Sequence, residues 1–430
     1  MQVNIDYKMK FLKIQNMSIL ELSIDVRFNI LAKLPLLDLL NFCRINSECV
    51  KTIKSEKFWL RKLVVDFPDY VQVQPKNINN KKWYQRVYQS GDAYMINDTP
   101  EESSTFVASD VSKCFYVDSG VIFYIDIFNI LYLFTNNKLP TSLALGHWES
   151  LILKFEPNNK KFCSIKLQEN VIDFYMDEHF TAFLSTDGIL STTGCCINKS
   201  NENSFVQKLN NIKKILSNGE ESVCLLLDDQ NNLLWLEDDD SIKKIASNVT
   251  SAVVDRIDGY PVIYYVKDGG LWEFYSNPIV KPQTLKRPSN IPKDAKCRDI
   301  YVYNLLFEQD VKTVSSMSHF LIVLDVENNI YFHHKRNFHP NDNYENDYYK
   351  DRESEELKLA GFDQKYLASH KFKQVLSNTG FETILLLDDK NNMYILDELD
   401  LNSELKPLYQ GITQIFTFYC YCFIKKRLNI

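Results

Sequence analysis

A degenerate internal repeat limits what this 430-residue chain can fold into more than any other feature of it. The run Ile212-Lys-Lys-Ile215-Leu-Ser-Asn, followed by Val223-Cys-Leu-Leu-Leu-Asp228-Asp-Gln-Asn-Asn232-Leu233, is matched by Phe372-Lys-Gln-Val375-Leu-Ser-Asn, followed by Thr383-Ile-Leu-Leu-Leu-Asp388-Asp-Lys-Asn-Asn392-Met393. In both, the first apolar residue stands 16 positions before the turn Asp (228 − 212 and 388 − 372). The Asp-Asp-x-Asn-Asn turn supplies residues that tolerate the left-handed backbone of a hairpin. Weaker copies begin near Val111, Val171, Val249, Val311 and Ile412, which makes seven copies at spacings from 37 (249 − 212) to 62 residues (311 − 249).

Each copy reads as two or more short apolar strands joined by Asp-, Asn- or Gly-bearing turns. A sheet that small cannot bury both faces alone, so the copies must stack, and seven of them predict a seven-bladed propeller. The last copy stops just after its turn, so a strand from Ala93 to Val107 is expected to complete that blade and remove an open edge.

Before about residue 90 the apolar period is helical instead. Val26, Ile30, Leu31 and Leu34 mark one face, Leu36, Leu37, Leu39, Leu40 and Cys43 a second, and Phe58, Leu60, Leu63 and Val64 a third. Asp25 and Asp38 suit N-caps, Pro35 parts the first two helices, and a further helix is expected from Lys81 to Gln89. The fold class is therefore α+β and multidomain. A tail at 1–16, a helical module at 17–66 and a helical linker at 67–92 precede an all-β seven-bladed propeller at 93–430.

Composition narrows the function. The formal net charge of −7 argues against an electrostatic grip on nucleic acid or an anionic membrane. Hydrophobic residues at 45% and charged residues at 24% fit folded cores. The 12 Gly and 13 Pro are too few for a collagen-like or low-complexity chain. The ten cysteines form no C-x-x-C pair, and Cys195-Cys196 and Cys420-x-Cys422 lack partner spacings, so buried free thiols are expected rather than a metal site. The opening MQVNIDYKMKFLKIQ has no continuous apolar core, and the apolar stretch Val121 to Phe134 is too short to span a bilayer. A cytoplasmic protein is expected, with the nucleus left open.

No G-x-x-x-x-G-K-[ST], H-E-x-x-H, G-x-S-x-G or G-x-G-x-x-G occurs, so no catalytic, cofactor or metal residue is assigned and no enzyme is expected. Glu237 to Asp240 reads as a solvated acidic loop, and His333, His334 and His339 as the opening of a polar surface insertion reaching His370. Tyr344, Tyr348 and Tyr349 in that insertion are candidate cargo-binding residues, because Tyr offers contact area with a polar tip. The segments near 136–169 and 276–303 are long connections of the kind that often carry function.

Two resemblances follow. Leu22-Ser-Ile-Asp-Val-Arg-Phe-Asn-Ile30-Leu31-Ala-Lys-Leu34-Pro35-Leu-Leu-Asp38-Leu39-Leu40-Asn-Phe-Cys-Arg-Ile45, with Phe58-Trp59 after it, resembles an F-box, although Ser23 stands where the family has Pro and Asp25 where it has Glu. The repeat unit, with His179 and His319 near the family's structural His, resembles the regulator-of-chromosome-condensation type of propeller, minus most of its glycines. Helical docking motif followed by propeller is the order found in substrate receptors of Skp-cullin-F-box ubiquitin ligases. The resemblance implies that Leu22, Ile30, Leu31, Leu34, Pro35, Leu39 and Leu40 bind a Skp-type adaptor, and through it a cullin ligase, while the propeller holds a protein cargo. A guanine-nucleotide exchange factor for a small GTPase and a scaffold with a helical cap are the alternatives. The richness in Asn, Lys, Ile and Asp is similar to that of F-box proteins of large DNA viruses, in which case the adaptor and the cytoplasm belong to a host.

Overall fold

The computed structural model describes residues 22–96, 104–118, 121–135, 163–176, 180–194, 206–216, 223–236, 241–257, 260–275, 302–307, 311–316, 320–328, 330–334, 371–378, 383–397, 407–417 and 421–425. The chain divides into two compact units, one ending at Ser90 and the other running from Gly91 to Lys426.

The first unit is helical: α1 (Ile24–Ala32), α2 (Leu36–Ile45), α3 (Ser47–Ile53), α4 (Glu56–Asp66), a 3-10 turn (Pro68–Tyr70) and α5 (Asn80–Gln89). Ser23 and Pro35 hold the N-cap positions of α1 and α2, which corrects the assignment of Asp25 and Asp38 as caps. Both carboxylates lie in first turns, where they face the positive end of the helix dipole. α3 is an element the apolar spacing does not announce; Asn46 Oδ1 accepts from the Cys49 amide at its start (3.2 Å). Asn79 caps α5 by accepting from the Lys82 amide (2.9 Å).

Leu31, Leu39, Phe58, Leu63, Trp83 and Tyr84 are fully buried. Phe28 meets Phe58 edge-on at 5.9 Å between ring centroids, and Trp59 meets Tyr84 at 5.2 Å. Each buried aromatic or Leu contributes about 1.5–3 kcal/mol of transfer free energy. The expected faces are only partly buried, because Val26, Leu40, Leu60 and Val64 are exposed.

The second unit is antiparallel β. β1 (Gly91–Ile96) precedes the repeat. The first copy is β2 (Thr105–Asp118), β3 (Val121–Asp126), β4 (Leu131–Thr135) and β5 (Cys163–Gln168), and the second is β6 (Val171–Met176), β7 (Phe180–Ser185), β8 (Leu190–Gly194) and β9 (Val206–Leu209). The third is β10 (Ile212–Ile215), β11 (Cys224–Asp228), β12 (Leu233–Leu236) and β13 (Ile242–Ala246), and the fourth β14 (Val249–Ile257), β15 (Tyr260–Lys267), β16 (Gly270–Tyr275) and β17 (Val302–Phe307). The fifth is β18 (Val311–Ser316), β19 (Phe320–Asp325) and β20 (Ile330–His334), and the sixth β21 (Phe372–Asn378), β22 (Thr383–Asp388), β23 (Asn392–Asp397) and β24 (Tyr409–Gln410). The seventh is β25 (Ile412–Thr417) and β26 (Tyr421–Lys425).

β1 pairs with β26 from Asp92↔Lys425 to Ile96↔Tyr421, so a strand from before the repeat does complete the last copy. It also pairs with β2, and the first and last copies share one seven-stranded sheet. Thr105 to Val107 already belong to β2. Two long connections hold more order than expected, since each ends in a fourth strand, β5 or β17. His333 and His334 are likewise the end of β20, paired with Leu321 and Phe320, rather than the start of a loop.

Backbone conformation repeats more faithfully than sequence. Asp110, Asn170, Asn211, Asn248 and Gly411, each one residue before a copy, all have positive φ of 61° to 75°. A β-bulge follows the first residue of every copy: Val111/Lys113, Val171/Asp173, Ile212/Lys214, Val249/Ser251, Val311/Thr313, Phe372/Gln374 and Ile412/Gln414. A second left-handed residue sits in the hairpin turn and passes its carbonyl to the next copy. Val171 N–H donates to Asn129 O (2.8 Å), Ile212 to Gly188 (2.9 Å), Val249 to Asn231 (2.9 Å), Val311 to Gly269 (2.8 Å), Phe372 to Asn328 (3.2 Å) and Ile412 to Asn391 (2.9 Å).

Two weaker copies reach that turn differently from the expected alignment. Val171 pairs with Ser185, which therefore takes the Asp position in place of Asp187, and Lys267 does so in place of Asp268. Asp268 and Gly269 (φ 51° and 80°) form the tight turn after it.

Apolar clusters join neighbouring copies. Phe123 stacks on Phe174 at 4.7 Å, Leu184 and Leu190 pack with Ile212 and Leu226, and Trp235 packs with Ile263 and Phe274. Tyr264 packs with Val311 and Leu321, and Leu385 and Met393 pack with Ile415, Phe423 and Ile96.

Candidate functional site

The helical unit presents a turn, Lys33 to Pro35, between α1 and α2. Its conformation is fixed from behind by Lys62, whose side chain is completely buried on α4. Lys62 Nζ donates to Ala32 O (3.0 Å), Leu34 O (2.7 Å) and Asp66 Oδ2 (2.6 Å). Tyr84 Oη donates to the same Asp66 oxygen at 2.6 Å. All three ammonium donors thus have acceptors, one of them the last carbonyl of α1 and another the Leu34 carbonyl in the turn after it. Burial, reinforced by the Asp66 carboxylate, pushes the Tyr84 hydroxyl well above its ordinary pKa, so it remains a donor. Burial and Asp66 raise Tyr88 as well.

In front of this support the apolar residues divide. Leu31 and Leu39 have no exposed surface and belong to the core of the chain, so they offer nothing to a partner in this conformation. Leu22, Ile30 and Leu34 are half-buried, Pro35 is exposed, and Leu40 is 42% exposed. Val26, which the spacing puts on the apolar face, and Ile24, to which it gives no role, add exposed apolar surface on α1. Cys43 and Cys49 are buried free thiols, as are Cys114 and Cys224. Burial raises the Cys43 and Cys114 pKa values, with Cys49 adding to the effect on Cys43, so both stay protonated.

In the β unit the third residue of several copies reaches the adjacent copy. Lys113 Nζ lies 2.7 Å from Asp173 Oδ1, and Asp173 Oδ2 accepts from the Ile215 amide (3.0 Å). Ser251 Oγ lies 3.0 Å from Thr313 Oγ1. Gln374 donates to Ile415 O (2.8 Å) and accepts from Ile415 N (3.2 Å). Lys214 retains exposed surface, yet desolvation by the protein around it, with Lys113 close by, lowers its pKa against the pull of Asp173. One polar position thus bridges four pairs of consecutive copies, through charged groups in the first three copies and neutral ones in the later copies. The sequence carries this signal, since Lys113, Asp173, Lys214, Ser251, Thr313, Gln374 and Gln414 are all polar inside apolar strands.

The turn Asp is a structural group. Asp228 Oδ1 accepts from the Gln230 and Asn232 amides (3.0 and 2.7 Å), and Asp388 binds Asn392 twice and Tyr394 Oη (2.9 Å). Tyr344, Tyr348, Tyr349, His179, His319, His339 and the acidic run Glu237 to Asp240 lie outside the described residues. Among the described residues no group of three or more His, Cys, Asp or Glu could hold a metal ion, and no helix is long and apolar enough to cross a membrane.

No family model matches the chain, and no curated protein sequence does. Among solved structures it is similar to Prp20p from Saccharomyces cerevisiae, at 10% identity and a TM-score of 0.46, over 82% of this chain and 96% of that one. It is similar to human WBSCR16 at 9% identity and a TM-score of 0.48, over 79% and 100% of the two chains. Yeast RCC1 (Prp20), in a crystal structure with Kap60 bound to it, gives 10% identity and a TM-score of 0.47 over 81% and 93%. Likenesses of this strength say nothing about activity or partner.

Proposed function

We propose that this protein is a substrate-recognition adaptor of a Skp-cullin-F-box ubiquitin ligase. The F-box, within residues 17–66, docks a Skp-type adaptor and so a cullin, and residues 93–430 form a seven-bladed propeller that holds a protein cargo. Equivalent bulges in all seven copies and apolar clusters linking neighbours support the blades. Holding cargo beside the charged ubiquitin carrier raises its effective concentration, so no residue of this chain performs chemistry.

The observation that carries the docking half is the Leu34–Pro35 turn with Leu40 beyond it. Apolar side chains stand at the surface there while Lys62 fixes the backbone beneath them. Exposed apolar surface on a rigid support is the physical description of a docking face. Leu22, Ile30, Leu34, Pro35 and Leu40 are the contact residues, whereas Leu31 and Leu39 shape the face from inside.

Calorimetric titration of the full chain with a recombinant eukaryotic Skp-type adaptor tests this. Stoichiometric binding is expected, lost in Leu40→Asp and retained in Leu60→Asp, which alters an exposed residue of α4. A folded chain that does not bind would leave a scaffold with a helical cap.

A further inference from the structure

Lys214 departs from the behaviour of its equivalents. Lys113, Asp173, Ser251 and Gln374 hold the same third position in their copies, and each reaches a group of the next copy. Lys214 Nζ has no hydrogen-bond or ion-pair partner among the described residues. Neutral Ser251 and Gln374 make their bridges without a charge, so the repeat does not need an ammonium at this position. The carboxylate beside Lys214 is already engaged. Asp173 Oδ1 accepts from Lys113 Nζ (2.7 Å) and from the Phe174 amide (3.1 Å), and its Oδ2 accepts from the Ile215 amide (3.0 Å). Lys213, the preceding residue, donates instead to Asn231 Oδ1 (2.9 Å).

Lys113 on β2 and Lys213 and Lys214 on β10 thus bring three positive charges to one buried carboxylate on β6 that three donors already occupy. Lys214 keeps exposed surface, and yet the protein around it desolvates the ammonium, which with repulsion from Lys113 lowers its pKa against the pull of Asp173. A side chain that is both wet and crowded lies in a recess, where an unneutralised charge acts more strongly than on an open surface. The equivalents in the fourth to seventh copies are neutral and the whole chain carries −7, so this positive excess is local to the first three copies. We propose that Lys113 and Lys214 form an oxyanion site, in which a carboxylate or phosphate group is held against Lys214 with Lys113 facing it from β2. The anion supplies the acceptor that Lys214 lacks and offsets the repulsion between the two ammonium groups. Asp173, held by two backbone amides, stays in place as the support. No residue of the helical unit takes part, so the site stands apart from the docking reading.

A bound anion favours the charged form of Lys214, so acylation, which needs the free amine, should slow there. The experiment treats the full-length protein with acetic anhydride at mildly alkaline pH, in sodium chloride or in sodium phosphate of equal ionic strength, and reads each lysine by peptide mass spectrometry. Phosphate should slow acetylation of Lys214 about fivefold and leave Lys390, exposed in the sixth copy, unchanged. A third arm adds a tetraglutamate peptide, which separates a carboxylate-bearing segment from free phosphate as the source of the anion. Thermal unfolding is the second readout. An anion that protects Lys214 should raise the unfolding temperature of the wild type and of Lys214→Arg, but not of Lys214→Gln. Protection with that pattern supports the proposal, and protection by the peptide alone assigns the bound group to a peptide carboxylate. Equal slowing at Lys390 reduces the effect to ionic screening and overturns the site. An unprotected Lys214 overturns it too, as does a Lys214→Gln protein that keeps the anion-dependent stabilisation. Whether the chain binds a Skp-type adaptor changes none of these readings.

Discussion

The ammonium of Lys62 donates at 2.7 Å to the carbonyl of Leu34, the residue before the proline that ends the first helical segment. A lysine with no exposed surface thereby ties α4 to the turn between α1 and α2. Lys62→Met would leave the Asp66 carboxylate without its cation and two carbonyls without a donor. A loss of about 3–5 kcal/mol is expected in the helical unit, read as an earlier urea transition in its tryptophan fluorescence. A loss below about 1 kcal/mol would show that solvent replaces the ammonium at little cost.

Gly91 opens β1 where that strand meets β26. A Cβ there would collide with the Lys425 carbonyl and come within 2.9 Å of Ile424 Cγ2. Backbone cannot yield as a side-chain tip can, so Gly91→Ala should cost about 2–4 kcal/mol and weaken the pairing. Hydrogen exchange should show faster exchange at Asp92 to Ile96, with Lys214 to Leu227 unchanged.

Left-handed Asn residues precede several copies, and Asn211 at φ 61° is an exposed example. Asn211→Ala should destabilise the protein by about 1–2 kcal/mol, the cost of a Cβ in that region, whereas Asn211→Gly should stay within a few tenths of wild type. Equal costs for the two variants in chemical denaturation would point to the side chain rather than the backbone.

Asp388 and Asp126 occupy equivalent turns and should titrate in opposite directions from 3.8. Burial works against the Asp388 carboxylate, but hydrogen bonds from Asn392 and Tyr394 outweigh it and lower the pKa. For Asp126, burial outweighs the Ile130, Phe128 and Tyr132 hydrogen bonds and raises it. Stability from Asp388 is therefore present above 3.8 and is lost as pH falls through its lower folded value. Asp126 contributes most below 3.8, and that contribution is lost as pH rises through its higher folded value. Carboxyl-carbon NMR titration would show the order, and a reversed order would mean that the hydrogen-bond geometry is different in solution.

The repeat was legible because its hairpin is written in side chains: Asp228 and Asp388 cap their own turns, and Asn231 and Asn391 adopt the backbone that only a few residue types accept. The left-handed residue one position before five of the copies was also in the chain, as Asp110, Asn170, Asn211, Asn248 and Gly411, but apolar spacing does not register polar punctuation. Lys62 was illegible for a different reason. Its position follows the core period of Phe58, Trp59 and Leu63, and a charge there is acceptable only because Ala32, Leu34 and Asp66 converge on it from distant positions. For the residues proposed to dock a partner, spacing identified apolar character but not exposure: Leu39 and Leu40, adjacent in sequence, have opposite environments. Fourth strands such as β5 lie after long connections, where local pattern gives no register.

The double pairing of β1 also has a mechanical meaning. Pulling on the helical unit loads the chain at Gly91, and β1 is held there along its length by β26 on one side and by β2 on the other. Load along a strand shears a whole ladder of hydrogen bonds at once, whereas load at a free edge would peel them one by one. Tension applied through the helical unit is therefore borne by two ladders at once and does not unravel the β unit from its first strand.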